Sequence, residues 1–95
     1  MPQVTYTLSK DGWAEAERLA GTKLGQGAEL NSFMSALTHK QLGVAAGANL
    51  ADKLLEYNGL AAMYSASNGK LSSPLRNRLS ALARTLGKTD PTATK

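Results

Sequence analysis

Apolar and polar positions alternate with a period of two only once, at the start of the chain. Val4, Tyr6 and Leu8 are separated by Thr5 and Thr7, and this mix of β-branched and aromatic residues predicts one short N-terminal strand. From Ser9 onward the period lengthens to that of a helix. Ser9 offers an N-cap oxygen, Trp13, Ala16, Ala20 and Leu24 share one face, and Gly25-Gln26-Gly27 punctuates the end, so a helix is expected over about 10–24. Ala14 and Gly21 leave room beside it for a neighbour. Leu30, Phe33, Met34 and Leu37 then follow the i, i+3, i+4, i+7 spacing of a second helix.

Thr38-His39-Lys40-Gln41 has the form of a capping box, in which the Thr hydroxyl and the Gln side chain each satisfy a backbone N–H. It predicts a fresh, short helix to Ala46 with Gly47 as its C-cap. Asn49 caps again, Leu50, Leu54 and Leu55 point inward from a helix over 50–57, and Asn58-Gly59 stops it. Residues 60–72 fit either a helix or a small β-hairpin. The Asn68-Gly69 dipeptide suits a type I′ turn and favours pairing of 62–67 with 70–72. The last helix is the clearest: Ser73 caps it, Pro74 takes its first position, Leu75, Leu79, Leu82 and Leu86 form its stripe, and Gly87 closes it. The expected fold is mainly α: a small helical domain of four to five helices with a short N-terminal strand and, if the hairpin forms, a winged-helix-like layout. Residues 1–88 should form one compact domain and 89–95 a disordered polar tail.

In that layout residues 38–72 resemble the winged helix-turn-helix superfamily, on the strength of the capped helix from Thr38, the Gly47-Ala48-Asn49 turn, the second helix, and the Asn68-Gly69 turn. The resemblance implies DNA binding, with Asn49 and Lys53 on the recognition helix. Asp52 and Glu56 would share that exposed face, and carboxylates close to phosphates oppose groove reading unless they accept from cytosine N4.

Charge sharpens the picture. Residues 1–60 carry five Lys or Arg against six acids, whereas residues 61–95 carry six against Asp90 alone. Around the last helix, at about 100° per residue, Arg76, Arg78, Arg84 and Lys88 fan out opposite the leucine stripe. With Lys70 they form the candidate surface for a phosphate backbone or an acidic protein face. Five phosphate contacts would give a log–log salt slope of about −4.5 on duplex DNA. A solvated helix face would look the same in sequence.

Chemistry is sparse. The chain has no cysteine and a single histidine, His39, so no thiolate nucleophile and no Cys/His metal set is expected, and no cofactor. Asp52 and Glu56 share a face without a nearby base or nucleophile. Gly87-Lys88-Thr89 lacks the upstream glycine and following helix of a phosphate loop, and Gly25-Gln26-Gly27 lacks the third glycine of a dinucleotide site. The expectation is a non-enzymatic binding protein. Its ligand would be DNA, or else a protein partner that the chain adapts or inhibits, as small proteins of phages and mobile elements do. No apolar run approaches the roughly 20 residues of a membrane span, so a cytoplasmic protein is expected. With 95 residues and only five aromatic side chains the core must be thin, and pairing of two copies as a homodimer would bury more apolar area per chain.

Overall fold

Ser9 ends an extended start and opens α1 (Lys10–Ala20), its side-chain oxygen accepting the Gly12 N–H at 3.0 Å as the sequence anticipates. The computed structural model describes residues 5–93. Three further helices follow: α2 (Ala28–Leu42), α3 (Ala48–Ala66) and α4 (Ser73–Leu86). The protein is a small all-helical domain, and the described residues contain no strand.

Among the described residues the expected N-terminal strand is not formed and has no partner to pair with. Val4 lies outside the described residues. Thr5 and Thr7 do face solvent while Tyr6 is buried and Leu8 half-buried, so the alternation is present. What satisfies the backbone is a side chain: the Tyr6 N–H donates to Asn31 Oδ1 at 3.0 Å, and the Tyr6 hydroxyl donates to the Ala46 carbonyl at 2.8 Å. The segment therefore works as a strap across α2 and the α2–α3 loop.

Several helix boundaries differ from expectation, each for a local reason. α1 stops at Ala20 because Gly21 adopts a left-handed φ of 73° and its N–H returns to the Glu17 carbonyl. Leu24, expected inside the helix, sits in the following loop, where its N–H donates to Glu17 and its carbonyl accepts from the Trp13 indole. α2 runs unbroken through Thr38, so there is no capping box and no separate helix to Ala46. The Thr38 hydroxyl is buried, donates back to the Ser35 carbonyl at 3.2 Å and accepts the Ala46 N–H at 3.3 Å. Gly47 precedes α3 as its N-cap and does not close a preceding helix.

α3 continues through Asn58-Gly59. The Asn58 amide bonds its own helix at the Leu54 carbonyl and reaches Gln41 on α2, which removes its tendency to start a turn. Of the two readings of 60–72 the helix is the one found over 60–66 and the hairpin is not confirmed: this stretch is held by burial of Leu60 and by packing of Ala61 and Tyr64 against the α4 core. Asn68 and Gly69 do take positive φ, 56° and 84°, but they end α3, with the Gly69 N–H donating to the Tyr64 carbonyl. The same pair of dihedral signs serves a hairpin or a helix terminus. α4 starts one residue earlier than expected, with Ser72 at the cap position, and Gly87 closes it.

Two cores share α3. Its first half buries Ala51 and Leu55 with Tyr6, Ala16, Leu30 and Met34. Its second half buries Tyr57 and Leu60 with Leu79, Leu82 and Ala83 of α4. The domain is accordingly elongated, 43 × 24 × 19 Å.

Candidate binding surfaces

The five cations expected to act together have different fates. Arg78 is engaged: its Nε and Nη2 donate to the two oxygens of Glu56 at 2.8 and 2.7 Å, a fork that holds the Glu56 carboxyl below its ordinary pKa and raises that of Arg78. Lys88 is half-buried, donates to the Gln41 carbonyl at 3.0 Å and lies 6.0 Å from the Tyr57 ring centroid. It ties α4 to the end of α2. Lys70, Arg76 and Arg84 remain exposed and form no ion pair among the described residues. Arg76 donates to Ser73 on its own helix, and Arg84 is near enough to Asp90 to help lower that carboxyl, which Ser80 and Thr92 lower more through hydrogen bonds.

The residues that the helix-turn-helix resemblance implies lie one turn apart on α3. Asn49 is exposed in the first turn of α3, whereas Lys53 is half-buried one turn on. α3 is the central helix and packs against the other three.

A concavity lies along α3, beside α1. It has a volume of about 420 Å³, and its floor is Leu55, Leu60 and Met63. Leu55 and Leu60 are buried, but Met63 is 49% exposed. The rim is acidic, with Asp11 and Glu15 on α1 and Asp52 and Glu56 on α3. Glu15 is paired with Arg18, whose guanidinium is held protonated more firmly by that bond, and Glu56 with Arg78. Asp11 and Asp52 have no cationic partner among the described residues. Neither Lys10 nor Lys53 lines the groove.

Glycine explains how α1 and α3 approach so closely. A Cβ on Gly12 would fall 2.1 Å from Asp52 Oδ1, the same oxygen that accepts from the Ser9 hydroxyl at 3.1 Å. Gly59 faces Glu15 in the same way, with a Cβ there meeting Oε1 at 3.3 Å. Asp52, Glu56, Gly59 and Met63 follow helical spacing along one face of α3. That stripe was readable in the sequence only if α3 was known to pass through Asn58-Gly59, and reading those two residues as a stop hid it.

Every buried side-chain nitrogen and oxygen among the described residues has a hydrogen-bond partner. No group of three or more His, Asp or Glu side chains among the described residues is arranged to hold a metal ion, and no described helix is long and apolar enough to cross a membrane. No family model matches the chain, and no significant similarity to a curated protein or a solved structure was found.

Proposed function

We propose that the protein is a non-enzymatic interaction module that receives a helical segment of a protein partner in the groove along α3. The observation that carries this reading is the groove itself, with an exposed Met63 over a leucine floor and carboxylates on both sides. From Asp52 to Met63 it runs about 17 Å, or three helical turns. Helix-in-groove recognition uses that length with apolar anchors one turn apart.

The test is fluorescence anisotropy with a labelled 18-residue synthetic helix of Leu and Lys, titrated with the protein and with its Met63→Arg variant. Saturable binding that the variant loses supports the reading, and equal binding by both proteins, or none, contradicts it.

A second reading is supported by the exposed trio Lys70, Arg76 and Arg84: contact with a nucleic-acid backbone. Because Arg78 and Lys88 are already engaged, three phosphate contacts are the expectation, and the log–log salt slope on a random duplex should be about −2.7, well short of −4.5. Loss of duplex binding in an Arg76→Glu, Arg84→Glu variant checks it.

A further inference from the structure

We infer that the groove along α3 is filled by a second copy of this chain, through the tip formed by the α3–α4 connection and the first turn of α4. The inference rests on the groove being a docking surface and names its occupant.

Charge and shape are complementary within one sequence. The groove offers Asp11 and Asp52 without cationic partners among the described residues, over a floor that ends at the exposed Met63. The tip offers the opposite: Lys70 and Arg76 are exposed without a carboxylate partner among the described residues, and Leu75 between them is 37% exposed beside exposed Pro74. Apolar tip residues would meet Met63 and Leu60, with the two cations reaching the two free carboxylates.

One molecule does not make this match with itself. Asp52, at the far end of the groove, is separated from the end of α3 at Ala66 by about 21 Å of continuous helix, and neither Lys70 nor Arg76 pairs with Asp11 or Asp52 of its own chain. The complement must come from another chain. Because the two surfaces are different, the contact is heterologous, and copies add head to tail along the 43 Å axis. Its footprint of about three helical turns is small against the 1,200–2,000 Å² of a stable interface, so association should be weak, concentration-dependent and screened by salt.

The experiment uses sedimentation velocity of the whole chain from about 10 µM to 1 mM, a range that brackets weak association, at low and high salt. Two double variants accompany it, Lys70→Ala with Arg76→Ala in the tip and Asp11→Arg with Met63→Arg in the groove, all at exposed positions. Circular dichroism confirms that each retains its helices. The expected result is that the native chain grows in mass with concentration and reverts in high salt, while each variant alone stays monomeric. An equimolar mixture of the two variants should form a dimer that grows no further, because one supplies an intact groove and the other an intact tip. A native chain that is monomeric throughout, variants that associate as the native chain does, or a mixture that stays monomeric would each overturn the inference. If the chain is monomeric yet its groove binds the Leu/Lys peptide, self-docking fails and the groove reading survives. If neither occurs, both fail.

Discussion

The two halves of α3 are stabilised differently. Around its first half, α1, α2 and the Tyr6 strap converge, and the helices approach through Gly12 against Asp52, with polar groups bonded inside the contact. Around its second half only α4 packs, and the hairpin is supplemented by the Arg78–Glu56 fork, by the Tyr57 hydroxyl donating to the Thr89 carbonyl at 2.6 Å, and by Ser80 donating to Asp90 at 2.6 Å. Residues 89 and 90 of the polar tail, expected to be disordered, carry these last two bonds. A three-sided core leaves little of its helices free, whereas a two-helix hairpin necessarily leaves a face uncovered. The exposed Met63 and Leu75 belong to the second region, while the exposed Val44 and Leu50 lie in the α2–α3 loop and at the very start of α3, outside the three-sided core.

The largest test of this contrast is truncation of a leucine in each core. Leu55 and Leu79 are both fully buried, and Leu→Ala at either should cost about 2–5 kcal/mol in urea unfolding. Leu55→Ala belongs at the upper end, because three packed elements cannot all relax into the cavity, and Leu79→Ala at the lower. The reverse order would break the comparison.

Gly12→Leu should cost about 1–3 kcal/mol through overpacking, since its first added atom displaces Asp52 from Ser9. Gly59→Ala is its control. There the neighbour is the end of the flexible Glu15 side chain, which can swing aside, and Ala gains helix propensity of up to about 1 kcal/mol, so stability should be unchanged or raised.

Tyr6→Phe leaves the Ala46 carbonyl buried without its donor and should cost about 1–2 kcal/mol. Tyr57→Phe, whose acceptor at exposed Thr89 can take water, should cost less. Thermal melts of the pair sharpen the difference between a strap and a tail.

The smallest effect concerns pH. The folded Glu56 carboxyl titrates below its unfolded value because Arg78 bonds its charged form. Its stabilisation is therefore complete above the ordinary carboxylate range and is lost as pH falls through the lowered folded value. With side chains 48% and 42% exposed the pair contributes under about 1 kcal/mol. Glu56→Gln should flatten the stability profile over that acidic window by no more than this, and leave it unchanged near neutrality apart from the same small offset.

How much of this was legible beforehand differs element by element. The Ser9 cap followed from capping chemistry, and the start of α2 after Gly27 and α4 apart from its first residue followed from glycine and proline punctuation and helical spacing, because local signals and packing agree there. α3 was misread where they disagree. Asn58-Gly59 and Asn68-Gly69 carry similar turn chemistry, yet only the second ends the helix. Burial of Leu60 and packing of Tyr64 against a helix that starts nine or more residues later decide between them. The basic fan was visible, but sequence could not show that Glu56, 22 residues upstream, neutralises Arg78, or that Lys88 reaches Gln41 across 47 residues. The groove was invisible for the same reason: its stripe exists only in a helix that continues through Gly59.

The central claim is that recognition occurs in the groove along α3 and not on the basic face of α4. Amide and methyl NMR spectra of the labelled protein, recorded while the Leu/Lys helix is added, test it most directly. The account predicts shifts concentrated at Gly12, Gly59, Leu60 and the Met63 methyl, with the outer face of α4 around Arg84 unmoved. No shift in the groove on addition of the peptide, together with shifts around Arg76 and Arg84 on addition of a DNA duplex, would contradict it.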